Sequence, residues 1–300
     1  MKVGVVMPIG HDEVTGRVPG WAEIRAAAHA AEAAALDSIW VYDHLLFRFG
    51  DDPTTGIHEA WTILAALAAE TTSPDLGVLV LAMPFRNPAL LAKMATTLDE
   101  VSGGRLILGV GCGWHEPEFD AFGYPFDHRV GRFEEALGVL LPLVRRGQVT
   151  FQGRWHSAVD AQIVPRSPRP EGHLIPILIA GKKPRMLRLV ARHADAWNTA
   201  WIGPASQLEA RMGPLRAALA AEGRDPATLE VTVGVNVVLP AFSDVPREVP
   251  ADALTGDAAT LAAGLREYAE LGVGTVIVAL EPATPESVAE LGRAAALSRG

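Results

Sequence analysis

The side chains that could do chemistry in this sequence gather just after short apolar runs. Asp43-His44 follows Ser38-Ile39-Trp40-Val41-Tyr42, Gly111-Cys112-Gly113-Trp114-His115 closes a second run, and Gly181-Lys182-Lys183 closes a third. His44 is the sharpest candidate, because an imidazole near neutral pH can give or take a proton. Successive side chains on a strand point to opposite sides, so one of Asp43 and His44 can face a site while the other anchors the loop. Lys182 and Lys183 precede Pro184, where a helix is predicted to start. Free N–H groups at such a terminus, with lysine charge beside them, suit a phosphate. An ordinary turn with two solvated lysines reads from the same residues. Gly111 and Gly113 offer either a flat backbone wall for a planar ligand or a tight turn, and they lack the spacing of a dinucleotide fingerprint. Trp114 could stack on a ring or cap a core. Cys112 reads as a small filler, since no base partner is apparent. Of nine histidines, only His44 and His115 closely follow a strand and none form a His-x-His pair, so no metal site is expected.

These residues need elements to position them, and the chain alternates short β-branched runs with longer segments of helical period. The first four units are Val3–Met7 with a helix over Trp21–Ala35, Ser38–Tyr42 with His58–Thr71, Leu76–Ala82 with Pro88–Val101, and Arg105–Val110 with His128–Arg145. Asn87 is placed to cap the third helix, with Pro88 at its first position. Residues 147–175 break the rhythm: Val149–Phe151 and Trp155–Ser157 flank Gln152-Gly153-Arg154 as a small hairpin, and a Pro/Arg stretch runs from Pro165 to Pro170. Four more units follow: Ile177–Ala180 with a helix from Pro184, Ala196–Thr199 with Ala205–Ala221, Glu230–Leu239 with Asp257–Leu271, and Thr275–Leu280 with Pro285–Leu297. The strands are apolar on both faces, as buried parallel strands are. Eight such units predict an α/β fold, a (β/α)8 TIM barrel with an insertion between helix 4 and strand 5. A doubly wound open sheet is the competing arrangement. In a barrel, strand C-terminal ends carry the site, which is where His44, Trp114 and Lys182 fall.

Composition sets the outer bounds. The chain has 300 residues, 49% of them hydrophobic and 20% charged, which excludes a disordered polymer. No composition shift marks a second domain, so residues 1–300 are expected to form one. A net charge of −9 argues against a nucleic-acid partner but leaves room for a small anion in a local basic pocket. The single cysteine cannot form an internal disulfide. No apolar stretch reaches the ~20 residues of a membrane helix, and the short apolar start is no signal peptide, so a soluble cytoplasmic protein without a membrane partner is expected.

The sequence resembles the luciferase-like monooxygenase superfamily of flavin- or deazaflavin-dependent (β/α)8 barrels. The match lies in Leu36–His44, in Leu76–Val80 with Pro84–Pro88, in Leu98–Arg105 with Leu108–Trp114, and in Pro176–Gly181 with Pro184-Arg185 and Ala194–Trp197. It covers roughly residues 1–200 by motif and the remainder by architecture. The resemblance implies a reduced ring cofactor held at the strand ends. Asp43 and His44 would lie near the ring system. Leu79 and Val80 would form a bulge under its face, where a non-proline cis peptide is common in the family. Ala180, Gly181 and Lys182 would take the phosphate. Lys182-Lys183 replaces the small residues usual there, and would either strengthen that site or crowd it. Phe47, Trp114 and Trp201 would line the substrate pocket. Residues 147–175 would be the variable region beside the mouth.

The activity so implied is hydride transfer between coenzyme F420 and a small organic substrate, with His44 as the proton partner. The basic run Lys182-Lys183-Pro184-Arg185 and Arg188 would meet the anionic tail of that deazaflavin. Reduced FMN with O2, in a monooxygenase of the alkanesulfonate or alkanal type, is one alternative. A flavin- or deazaflavin-binding protein without turnover is another. The superfamily's deazaflavin-dependent sugar-phosphate dehydrogenases carry an acidic residue where Trp114 stands. Tryptophan cannot transfer a proton, so that substrate class is not expected. Barrels of the superfamily often form homodimers, although no interface stands out in this sequence.

Overall fold

The computed structural model of the chain describes residues 1–170 and 173–300. The two remaining residues fall in the expected insertion and lie outside that description. In chain order the strands are β1 (Lys2–Val6), β2 (Ser38–Val41), β3 (Asp75–Val78), β4 (Leu81–Ala82), β5 (Leu106–Gly111), β6 (Gln148–Gln152), β7 (Ser157–Gln162), β8 (Ile177–Ala180), β9 (Ala196–Ile202), β10 (Glu230–Val238) and β11 (Thr275–Glu281). The helices are α1 (Trp21–Ala33), α2 (Ala60–Glu70), α3 (Pro88–Ser102), α4 (Glu116–Phe122), α5 (Arg129–Arg146), α6 (Pro184–His193), α7 (Glu209–Ala221), α8 (Ala258–Glu270) and α9 (Pro285–Arg299).

The parallel pairings run β1–β2, β2–β3, β3 and β4 with β5, β5–β8, β8–β9, β9–β10, β10–β11 and β11–β1. That circuit closes on itself, so the fold is an α/β TIM barrel of eight staves and the open-sheet alternative falls. β6 and β7 form a separate antiparallel hairpin inserted after α5.

Side-chain size explains much of the closure. Trp40 is almost wholly buried inside the barrel with Val6, Leu79, Leu178, Ala196 and Ile277. A Cβ at Gly77 would lie 2.2 Å from the Trp40 ring, and one at Gly4 would lie 2.7 Å from its Nε1. The plug and its two glycines therefore specify one another. Outside the staves, apolar faces of the helices pack on Val3, Val5, Leu76, Leu108 and Ile177 as a larger core.

Several boundaries differ from those expected of the sequence, each for a local reason. The third run is not continuous: it breaks at Leu79-Val80 into β3 and β4, and the Leu79–Val80 peptide is cis, as the resemblance implies. The second helix starts at Ala60 rather than His58, because the Glu59 carboxylate caps it by accepting from the N–H groups of Trp61 and Thr62. Asn87 caps α3 in the same way from Ala89 and Leu90, as expected, with Pro88 at the position that needs no donor. The hairpin's second arm begins at Ser157 instead of Trp155. The Glu135 carboxylate takes the N–H groups of Arg154, Trp155 and His156, which holds them in the turn. Finally, α4 sits where only a loop was expected.

Candidate active site

A cavity of about 1610 Å³ opens at the C-terminal ends of the barrel strands. All the site residues expected from the sequence line it: Asp43, His44, Phe47, Leu79, Val80, Gly111, Gly113, Trp114, Ala180, Gly181, Lys182 and Trp201. Among the described residues no group of three or more His, Cys, Asp or Glu could hold a metal ion.

Tyr42, Asp43 and His44 follow directly on the end of β2. Tyr42 and His44 share one side, and Asp43 faces the other way. Asp43 is an anchor: its carboxylate accepts from Arg86 Nη1 at 2.6 Å, Arg86 Nη2 at 3.0 Å and the Ala82 N–H at 2.9 Å. Burial pushes the Asp43 carboxyl up, and the Arg86 charge opposes that rise. Asp43 is thus tied into the scaffold while still lining the cavity.

His44 lines the cavity and is held by a buried carboxylate. Its Nδ1 lies 3.0 Å from Glu118 Oε1, while Glu118 Oε2 accepts the Leu45 N–H at 2.8 Å. Glu118 is 1% exposed, so its carboxylate has these two partners and almost no water. With both oxygens accepting, the His44 proton sits on Nδ1, and Nε2 is the ring nitrogen left for a ligand. Sequence reading missed Glu118. It lies on α4, a seven-residue helix with a proline in its first turn, too short to show a period.

Aromatic rings surround the imidazole. The Phe47 centroid is 4.4 Å away and that of Trp114 is 5.5 Å away. His115 packs beneath them and is buried; its Nε2 accepts the Arg48 N–H at 3.0 Å. Burial lowers the His115 pKa, which favours the neutral ring that bond requires. Trp201 lines the opposite part of the cavity from β9.

Strand β5 and the bulge fit each other closely. A Cβ at Gly109 would lie 2.0 Å from the Val78 carbonyl oxygen, and one at Gly111 would lie 2.8 Å from Val80 Cγ2. Gly113, at φ +73°, would meet the Phe119 ring. The glycine series thus answers to neighbouring chain as well as to the cavity it lines. Cys112 is half-buried beside it. Burial pushes its thiol up, which fits a filler rather than a nucleophile.

Charge around the mouth is divided by strand order. On the β5–β8–β9 arc stand Arg129, Lys182, Lys183 and Arg211. Arg129 donates to the Gly113 carbonyl and lies over the Phe126 ring, and Arg211 donates to Thr199 Oγ1. Among the described residues none of these four meets a carboxylate. Burial and the nearby Arg211 lower the Lys182 pKa. Lys183 precedes α6 without a side-chain cap, so the first amides of that helix are open. Arg185, expected to join this group, pairs instead with Glu134 at 2.6 Å. Both lysines line the cavity.

The other arc, from β10 through β11 and β1 to β2, is acidic. Asp244, Glu281, Asp12, Glu13 and Asp52 line it. Its arginines are engaged: Arg17 with Glu23, and Arg247 with Asp12 at 2.5 Å and Glu281 at 3.7 Å. Burial raises the Glu281 carboxyl against the pull of Arg247. Tyr42 is pushed up to about 12 by burial and by the Glu281 charge, so it stays a phenol.

Taken together, the residues present fit a planar redox group with an anionic tether. The cavity has room for three fused rings, the tether arc carries free cations, and an oriented imidazole stands between them.

Comparison with known proteins agrees with this reading of the fold. The family model of the luciferase-like monooxygenases matches residues 1–249. An F420-dependent glucose-6-phosphate dehydrogenase of Amycolatopsis mediterranei is 34% identical over 174 residues, covering 56% of this chain and 50% of that protein. A phthiodiolone/phenolphthiodiolone dimycocerosates ketoreductase of Mycobacterium tuberculosis is 32% identical over 233 residues, covering 72% of this chain and 61% of its own. The chain thus spans only half to three fifths of these relatives. Among solved structures, an F420-dependent secondary alcohol dehydrogenase with an F420-acetone adduct superimposes with a TM-score of 0.80 at 18% identity, over 100% of this chain and 99% of that one. The F420-dependent tetrahydromethanopterin reductase of Methanopyrus kandleri gives 0.77 at 17% identity, over 97% of each.

Proposed function

Starting from a chain that belongs to the luciferase-like monooxygenase family, we propose that it is an oxidoreductase moving a hydride between coenzyme F420 and a small organic substrate. The observation that carries the choice of cofactor is the cationic arc of Arg129, Lys182 and Lys183 in the cavity lining, backed by Arg211 near Lys182, none with a carboxylate partner among the described residues. One phosphate would use only part of that charge. A phosphate extended by an anionic oligoglutamate tail uses more of it. Relatives that act with F420 point the same way.

When bound, the deazaflavin would accept the hydride from an alcohol in its oxidised form or supply it to a carbonyl in its reduced form; the chain supplies position, dryness and a proton site. Ala180, Gly181 and the α6 amides would hold the phosphate, with Lys182 and Lys183 beside it. Val80 would support one ring face. His44 Nε2 takes the proton of an alcohol as its carbon loses hydride, or returns it to the oxygen when a carbonyl is reduced. The buried Glu118 carboxylate fixes the imidazole and stabilises its charged form in either direction.

Paired titrations with F420 and FMN at low and high salt test this. F420 should bind more tightly and lose more affinity to salt than FMN. Equal affinity for both, with oxygen consumption dependent on reduced FMN, would replace the proposal by a monooxygenase. Tight binding with no hydride exchange across a substrate panel would leave a cofactor-binding protein.

A further inference from the structure

We infer that Phe49 and Trp114 form the face on which a flat, uncharged, ring-bearing substrate lies. This inference rests on the oxidoreductase reading of the same cavity. Phe49 is 55% exposed and Trp114 57% exposed, unusual for two large aromatics that both line a cavity. Their ring planes are 24° apart at a centroid distance of 6.4 Å, and Phe47 continues the series at 12° and 6.1 Å from Phe49. The series is continuous with the imidazole that carries the proton, since His44 contacts both Phe47 and Trp114.

The face is built rather than incidental. Phe47 and Phe49 come from the loop after β2, and Trp114 from the loop after β5. His115 joins the two loops: its ring lies 5.0 Å from Phe49 and 5.1 Å from Trp114, and its Nε2 holds the Arg48 N–H between the two phenylalanines. Rings held from beneath and open above lose little freedom when a flat ligand covers them.

Charge narrows the substrate further. The acidic arc continues into this half of the mouth through Asp52, three residues beyond Phe49. Its two arginines are already paired with carboxylates, Arg129 beside Trp114 donates to the Gly113 carbonyl and lies over the Phe126 ring, Arg48 donates to Thr54 Oγ1, and the two lysines stand on the far arc. A phosphate or carboxylate on the substrate would meet several negative neighbours on this side and only guanidinium groups that are already engaged.

The test uses acetophenone, its anionic twin 4-acetylbenzoate, and glucose 6-phosphate. Binding to the protein, with and without F420, is read by ligand-observed NMR and calorimetry, and turnover with F420 is followed separately. Acetophenone should bind, and 4-acetylbenzoate should bind about tenfold more weakly or worse. Trp114→Ala and Phe49→Ala should each weaken acetophenone binding about tenfold, and Trp114→Phe should restore most of it. Both positions are exposed, so the variants fold. Glucose 6-phosphate binding as well as acetophenone, or alanine variants that leave acetophenone binding unchanged, overturns the inference. Acetophenone binding that depends on Trp114 without any F420 turnover keeps the face and removes the oxidoreductase reading. F420 turnover indifferent to both variants does the reverse.

Discussion

His44 and Glu118 are 3.0 Å apart, Nδ1 to Oε1, although 74 residues separate them in sequence. The contact joins the end of β2 to α4 and fixes which imidazole nitrogen faces the cavity. It gives the mouth an oriented base on a buried carboxylate, an arrangement that serves proton transfer in many unrelated folds.

His44→Ala should therefore lower kcat by about 10²–10⁴ and leave F420 affinity nearly unchanged. Glu118→Gln keeps the shape but removes the charge, and should lower kcat by about 10- to 100-fold while changing the form of the pH–rate profile. Steady-state kinetics across pH, with direct cofactor titration, checks both. A Glu118→Gln enzyme of lower stability and wild-type pH profile would assign that carboxylate to folding alone.

His115 predicts a stability trend with pH. Burial lowers its folded-state pKa, so between that value and the ordinary value of about 6.5 the unfolded chain binds a proton that the folded one excludes. Its contribution is complete above pH ~6.5 and declines as pH falls through that window. His156 and His193 shift in the same direction through burial. The informative quantity is thus the difference between wild type and His115→Gln. Chemical denaturation from pH 7.5 to 5 should show a shallower slope for the variant, and identical slopes would remove His115 as a contributor.

On the cationic arc, the double variant Lys182→Ala, Lys183→Ala should raise the F420 dissociation constant by about 10- to 100-fold. It should also flatten the dependence of affinity on salt. Melting temperature should barely move, because both side chains are solvent-facing and unpaired. A salt slope equal to that of wild type would place the tail elsewhere.

Gly109→Ala and Gly111→Ala should differ in severity. The added methyl at 109 meets a backbone carbonyl of β3, which cannot yield, whereas at 111 it meets the tip of Val80. Overpacking of this kind costs typically ~1–3 kcal/mol. The 111 variant should sit low in that range and weaken cofactor binding by displacing Val80, and the 109 variant should reach or exceed its top. Thermal melts rank them, and a reversed order would mean that the bulge is softer than its contacts suggest.

The barrel itself was legible because β-branched runs and helical periods alternate eight times, and because Asn87-Pro88 marks a helix start by simple capping chemistry. His44 and Lys182 were legible as polar residues standing just beyond buried strands. What escaped were relationships rather than residues. Glu118 reaches His44 only because a seven-residue helix folds over the β2 end. Arg247 reaches Asp12 across 235 residues, with no local pattern at either end. The glycines of Gly109-Val110-Gly111-Cys112-Gly113 look alike in sequence. One clears a carbonyl, one a valine and one a phenylalanine, which only packing distinguishes.

Strand β1 hydrogen-bonds to β11, so the first stave is sealed by the last. Lys2 pairs with Thr275, so that seam can zip only after β11 has been made. The strands that carry His44, Trp114 and Lys182 pair in series without it, whereas the acidic arc, which runs through β11, stays incomplete until then. The mouth is therefore walled all the way round only once that last strand has joined the first.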